Sequence, residues 1–271
     1  MSVVGRDRVG YRLGVPGKRR GFVLDWAART DVGHRRQVNE DSVLVKPPVF
    51  AVADGMGGHA AGDRASAAVV DRLSALRAEP SSGYLDVARL DAALHAAADD
   101  IDDLAAHIPV GAGTTVTGAL LALVDGVPHM VVFNIGDSRV YRYSDDDFRR
   151  VTRDHSVVQE LVDAGLLHAD DAEGHPESNV ITRAVGFRET PQPDVWMLPV
   201  EPGMRLLLCS DGLTKELDDR RIHGMLAGGR SAAETADELM DAALAAGGRD
   251  NVTVVVIDVA APAPKPRASN A

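Results

Sequence analysis

The chain has 271 residues, 45% hydrophobic and 25% charged, with a formal net charge of −11. This is the composition of a folded protein with a sizeable core, and its acidic balance argues against nucleic acid, whose phosphates such a surface repels. No window approaches the ~18 consecutive apolar residues of a membrane helix, Met1 to Arg8 lack a secretion signal's apolar core, and a single cysteine leaves no intrachain disulfide. A monomeric cytoplasmic protein without membrane attachment is expected.

In chain order, residues 1–21 carry Arg6, Arg8, Arg12, Lys18, Arg19 and Arg20 against Asp7, interspersed with glycine and proline. Such a stretch buries too little apolar surface to offset its ordering entropy, so a mobile basic arm is expected, with the fold spanning 22–260 and a Pro/Ala-rich tail over 261–271. Residues 22–29 and 49–53 read as strands. Residues 62–76 and 87–108 have helical apolar spacing, the second through Leu90, Leu94, Ala97, Ile101 and Leu104, closed by Pro109. Four extended runs follow at 114–124, 129–135, 139–143 and 148–152. Their short connections exclude parallel neighbours, which need crossovers of a dozen or more residues, so the sheet is largely antiparallel.

A helix is expected to start at Ser156, with Gln159 as its capping-box partner, and to stop at Gly165. Residues 180–184, 195–198, 205–209 and 252–259 read as strands, and 220–226 and 232–246 as helices. Grouped strands and helices give an α+β class, and about ten strands exceed one comfortable sheet. If 205–209 and 252–259 are antiparallel neighbours, Asp211 and Asp250 meet at one sheet end.

Two motifs carry the chemistry. Thr30-Asp31-Val32-Gly33-His34-Arg35-Arg36-Gln37-Val38-Asn39-Glu40-Asp41 is followed, across a short apolar run, by Asp54-Gly55-Met56-Gly57-Gly58-His59. Asp54 and Asp211 each follow an apolar run, as a strand emerging into a turn would have them, and Asp250 precedes one. Clustered carboxylates are costly to keep ionised unless cations sit between them. The set is oxygen-only, without His or Cys at zinc spacing, so the ions would be Mg²⁺ or Mn²⁺. Arg36 is the phosphate anchor, its guanidinium offering two parallel donors, whereas Arg35 points elsewhere. Cys209 fails as a nucleophile: Lys215 stands where a cysteine phosphatase needs arginine, and apolar neighbours bury the thiol. Nor is there an Asp-x-Asp-x-Thr/Val segment for an aspartyl-phosphate route.

Further blocks complete a pattern: Gly113-Thr114-Thr115, Ile135-Gly136-Asp137-Ser138-Arg139, Thr152-Arg153-Asp154-His155-Ser156, Asn179-Val180-Ile181-Thr182-Arg183-Ala184-Val185-Gly186, Cys209-Ser210-Asp211-Gly212 and Gly247-Gly248-Arg249-Asp250-Asn251-Val252-Thr253. Over 22–259 the chain resembles the metal-dependent protein phosphatase (PPM) family, the type 2C Ser/Thr phosphatases, and among them the bacterial members. The resemblance implies a four-layer α-β-β-α sandwich of two antiparallel sheets flanked by helices. It also implies hydrolysis of phosphoserine and phosphothreonine on protein substrates, those of a Ser/Thr kinase among them, by water bridging two ions.

By the same resemblance Asp54 bridges the two ions, Glu40 and the Gly55 carbonyl serve one, Asp211 and Asp250 the other, and Asp41 holds ion-bound waters. Asp137 serves a third, weaker ion or is a turn carboxylate paired with Arg139. His59 relays a proton to the leaving oxygen or is a surface histidine. Residues 161–179 form a flap beside the cleft that carries substrate choice. Two rival readings are a phosphoprotein-binding member without catalysis and a hydrolase of small phosphoesters.

Overall fold

The computed structural model describes residues 1–19, 21–57, 61–108, 111–145 and 147–262. The strands are β1 (Val3–Gly5), β2 (Arg8–Leu13), β3 (Phe22–Asp31), β4 (Asp41–Lys46), β5 (Val49–Met56), β6 (Gly113–Thr114), β7 (Val116–Val124), β8 (Val127–Ile135), β9 (Arg139–Ser144), β10 (Asp147–Arg150), β11 (Val185–Gly186), β12 (Asp194–Pro199), β13 (Arg205–Cys209) and β14 (Val252–Ala260). The helices are α1 (Gly62–Ser74), α2 (Ala88–Leu104), α3 (Val157–Asp163), α4 (Asp211–Thr214), α5 (Asp219–Leu226) and α6 (Ala232–Ala246).

One sheet runs β1-β4-β5-β7-β8-β12, with β6 pairing β5 and β11 pairing β6; the other runs β10-β9-β13-β14-β3-β2. The pairs are antiparallel except β1 with β4. Alternation along the strands builds three cores. In β5, Val49, Ala51 and Ala53 face α1 and α2, while Phe50 and Val52 face the other sheet. In β14, Val255, Ile257 and Val259 join that inter-sheet core, and Val252, Val254 and Val256 pack under α6. A strand covered on both faces is apolar at nearly every position, which is why these runs read as continuous rather than alternating. The expected four layers are therefore present, with the middle two being the sheets. Among the described residues no helix is long and apolar enough to cross a membrane.

The structure corrects the expected mobile arm over the described residues of 1–21. β1 adds to one sheet beside β4, and β2 adds to the other beside β3, through Tyr11↔Leu24, Arg12↔Val23 and Leu13↔Phe22. Leu13 and Val15 are 4% and 6% exposed, Trp26 Nε1 donates to Arg6 O at 2.9 Å, and Tyr11 meets the Trp26 ring edge-on at 5.5 Å. Backbone pairing and a few apolar anchors order this segment despite its charge. The expected tail 261–271 falls almost wholly outside the described residues.

Two smaller expectations also change. Residues 180–184 make only one bridge, Ile181 with Ser156, and the strand begins at Val185. Ser156 does cap α3, accepting from Gln159 N at 3.3 Å, but the Gln159 side chain turns to Asp163 and Arg150 instead of closing the box. Deleting residues 1–15 removes two buried anchors worth about 1.5–3 kcal/mol each. Differential scanning fluorimetry should then show a melting temperature lower by about 6 °C or more, at roughly 2 °C or more per kcal/mol.

Candidate active site

The strand ends that carry the candidate residues share one end of the sandwich. Asp41 opens β4 directly opposite Asp54 of β5. β13 pairs antiparallel with β14, Cys209 opposite Val254, so Asp211, at the start of α4, and Asp250, two residues before β14, converge as expected. Asp137 follows the end of β8. A cleft of about 720 Å³ is lined by Arg36, Glu40, Asp54, Gly55, Asp137, Asp211 and Asp250. Asp41 lies behind it, fully buried, and accepts hydrogen bonds on Oδ2 from Thr253 (2.6 Å) and Ser210 (2.9 Å). His59 lies outside the described residues.

Asp54 does not emerge into a turn as expected, because β5 continues through Gly55 and Met56, which pair with β6. Thr115 and Thr114 clamp its backbone. Asp54 N–H donates to Thr115 Oγ1 (3.1 Å), and Asp54 C=O accepts from Thr115 N (2.9 Å) and Thr114 Oγ1 (2.8 Å). Arg35 and Arg36 are both exposed, but only Arg36 turns its guanidinium into the cleft, pairing with Asp250 at 2.9 Å. Arg139 does not pair with Asp137 as one expected alternative held. Its guanidinium grips Asp154 through Nε and a terminal nitrogen, at 2.7–3.1 Å.

Several positioning residues stand in the quoted motif blocks without any role being readable there. Asn251 Oδ1 accepts from Glu40 N (2.8 Å), and its amide donates to Val32 O and Val38 O (3.0 Å each), so one side chain pins the loop bearing Arg36 and Glu40. Gly33 permits that loop to close: its φ is +73°, and a Cβ there would stand 2.2 Å from Asp250 O. His155 holds the turn before Asp137, its Nδ1 accepting from Gly136 N at 3.1 Å while Nε2 faces Asp194 at 3.2 Å. Burial lowers the His155 pKa, keeping the ring neutral and Nδ1 free to accept. Sequence spacing cannot reveal such partners when they lie far apart along the chain.

The electrostatics are those of crowded carboxylates. Burial, then repulsion from Asp211 and Asp250, pushes the Asp41 carboxyl up to about 7 against the hydrogen bonds from Thr253 and Ser210. Desolvation, then Asp211 and Asp154, pushes Asp137 up to about 7, with Lys215 opposing. Asp54 is raised by burial and then by Asp41, Asp211, Asp137 and Asp250. Lys215 lies among them, its Nζ 2.5 Å from Asp211 Oδ2 and 3.4 Å from Asp250 Oδ2. Burial disfavours its charge, but the carboxylates outweigh burial and raise its pKa. Cys209 is inert, its thiol pushed up to about 12 by burial.

The donor set suits a hard divalent cation. Asp41 Oδ1 and Asp211 Oδ1 are buried oxygens without a hydrogen-bond partner. Glu40 Oε1 and Gly55 O both lie within 3 Å of the point where a Gly62 Cβ would stand, so only glycine leaves that carboxylate and carbonyl facing the same small space. No three described His, Cys, Asp or Glu side chains close around a single point; Asp211 and Asp250 are held by Lys215 and Arg36 instead.

A two-sheet sandwich flanked by helices, with oxygen donors and an arginine at one end, defines the class of metal-dependent phosphatases. Residues 32–247 match the family described as Protein phosphatase 2C, and the chain belongs to that family. It is 41% identical over 243 residues to the serine/threonine protein phosphatase PstP of Mycobacterium tuberculosis, a match covering 88% of this chain and 45% of that protein. This chain thus spans about half the length of that relative. It is 36% identical to the serine/threonine phosphatase stp of Listeria innocua, over 85% of this chain and 94% of the relative. The solved catalytic domain of PstP in complex with two manganese ions superposes with a TM-score of 0.78 at 39% identity, covering 88% of this chain and 99% of that one.

The raised carboxyls set a pH dependence for the metal-free protein. Unfolded, Asp41 and Asp137 release their protons near 3.8; folded, they hold them to about 7. The folded state therefore binds more protons across that window, and stability falls as pH rises through it. Thermal melts in chelator should show a lower midpoint at pH 8 than at pH 5. A midpoint that rises over that range would overturn the assignment of these carboxyls.

Proposed function

We propose that this chain is a Ser/Thr protein phosphatase that hydrolyses phosphoserine and phosphothreonine monoesters. The observation that carries the reading is the gathering of Arg36 with Glu40, Asp54, Gly55, Asp137, Asp211 and Asp250 in one cleft; membership of the protein phosphatase 2C family supports it. When bound, two Mg²⁺ or Mn²⁺ ions would supply an activated water and neutralise phosphate oxygens. Asp54 would hold both ions, Glu40 and the Gly55 carbonyl one, and Asp211 and Asp250 the other. Asp137 would serve a third, weaker ion, and Asp41 would orient waters from beneath.

Arg36 binds and orients the phosphate dianion, and it leaves Asp250 to do so. Ala172, Glu173, Ser178 and Asn179 line the cleft together with Arg249 and meet the substrate chain beside the phosphorylated residue. The proposed setting is the cytoplasm, with a monomeric enzyme acting on the substrates of a Ser/Thr kinase, and the kinase itself among its partners.

The test is release of inorganic phosphate from a phosphothreonine peptide, with Mn²⁺ and with chelator, beside a panel of small phosphoesters. Turnover of the peptide with Mn²⁺ alone is expected; preference for the small esters would overturn the protein-substrate reading. Asp54→Asn, Asp211→Asn and Asp250→Asn should each abolish detectable turnover, since each removes a charge the ions require. Arg36→Ala should lower kcat/KM about 100-fold, about 2.7 kcal/mol, while Arg35→Ala leaves it near wild type. Equal losses in the two arginine variants would show that Arg36 is not the anchor.

A further inference from the structure

Lys215 follows α4 directly and stands four residues after Asp211, so one helical turn carries its side chain back over that carboxylate. An exposed lysine at this spacing usually makes a surface ion pair of little weight. Here the surroundings differ. The Lys215 side chain is 32% exposed, Asp211 14% and Asp250 16%. The ammonium also joins carboxylates from two separate segments, one after β13 and one before β14. At 2.5 Å from Asp211 Oδ2 and 3.4 Å from Asp250 Oδ2, it takes up the space between the two oxygens. A divalent ion bound to both, at about 2.0–2.1 Å for Mg²⁺, would need that same space.

We propose that Lys215 is a built-in counter-cation that holds Asp211 and Asp250 together in the metal-free protein and is displaced when a divalent ion binds between them. The proposal rests on the two-ion reading of the site and adds that the ions enter on unequal terms. At Asp211 and Asp250 an incoming ion meets three existing ion pairs, two made by Lys215 and one by Arg36 to Asp250, and it must expel the ammonium from a partly buried place. Among the described residues lining the cleft the one lysine is Lys215, and it pairs with Asp211 and Asp250, not with Glu40. Lys215 thus lowers affinity at one position and protects the fold when that position is not filled.

The experiment is calorimetric titration of chelator-stripped protein with Mn²⁺, in wild type, Lys215→Met, Lys215→Gln and Lys215→Arg, with melting curves of each stripped protein. The weaker Mn²⁺ event should tighten about tenfold or more in the two neutral variants, about 1.4 kcal/mol, with the stronger event unchanged. The stripped neutral variants should melt below wild type, and Lys215→Arg should resemble wild type in both measurements. Unfolding of both neutral variants on stripping, with Lys215→Arg intact, also supports the holding role. Two Mn²⁺ events of wild-type affinity in the neutral variants overturn the Lys215 proposal alone. Fewer than two events in wild type overturns the two-ion reading beneath it.

Discussion

Repulsion among the carboxylates of Glu40, Asp41, Asp54, Asp137, Asp211 and Asp250, gathered at one end of the sandwich, is the constraint to which the neighbouring structure answers. Two like charges 4 Å apart cost about 1 kcal/mol in water and about 4 kcal/mol at an effective permittivity of 20. A loose set of loops would relieve that cost by spreading. Here burial and the repulsion together raise the carboxyl pKa values of Asp41 and Asp137, and the cost is met by the guanidinium of Arg36 and the ammonium of Lys215, and by hydroxyls from Ser210 and Thr253 beneath.

The carboxylates stay close because the strands that carry them cannot slide. β5, β13 and β14 are buried on both faces, so a one-residue slip would exchange the side chains of two different cores. At the far end of β13, Arg205 binds Asp258 of β14 through Nε and a terminal nitrogen, and also reaches Leu226 O, Thr235 and Arg230 O under α5 and α6. The strand is anchored at one end by this buried cation and presents Asp211 at the other. Asn251 then brings the loop of Arg36 and Glu40 to the strand ends, so the groups that meet phosphate and ion rest on a fixed frame.

The sequence carried much of this, unevenly. Helix α6 and strand β13 were readable to the residue, because long apolar periodicity and two-sided burial leave strong patterns, whereas the pairing of β13 with β14 entered only as the condition under which Asp211 and Asp250 would meet, a condition the structure meets. β1 and β2 were not readable: each is short, lies at a sheet edge, and owes its order to backbone pairing more than to its side chains. The run 180–184 misled in the opposite sense, since brief alternation also arises in a loop laid along a cleft. At the site, the acidic residues and Arg36 were visible because they stand in turn-flanked motifs. Asn251 acquires its role only from groups that the fold brings to it, and Lys215, four residues from Asp211, gains Asp250 in the same way.

Cys209 sits at the end of β13, fully buried, one residue from Ser210 and two from Asp211. It is the chain's single cysteine. A thiol reagent therefore meets nothing to modify until β13, an inner strand of its sheet, opens to solvent. Labelling of this one sulfur is a clock for opening of the sheet that carries Asp211. Because each alkylation event marks a chain permanently, mass spectrometry of a mixed population would count how many molecules have opened, without any dye, tag or catalytic readout.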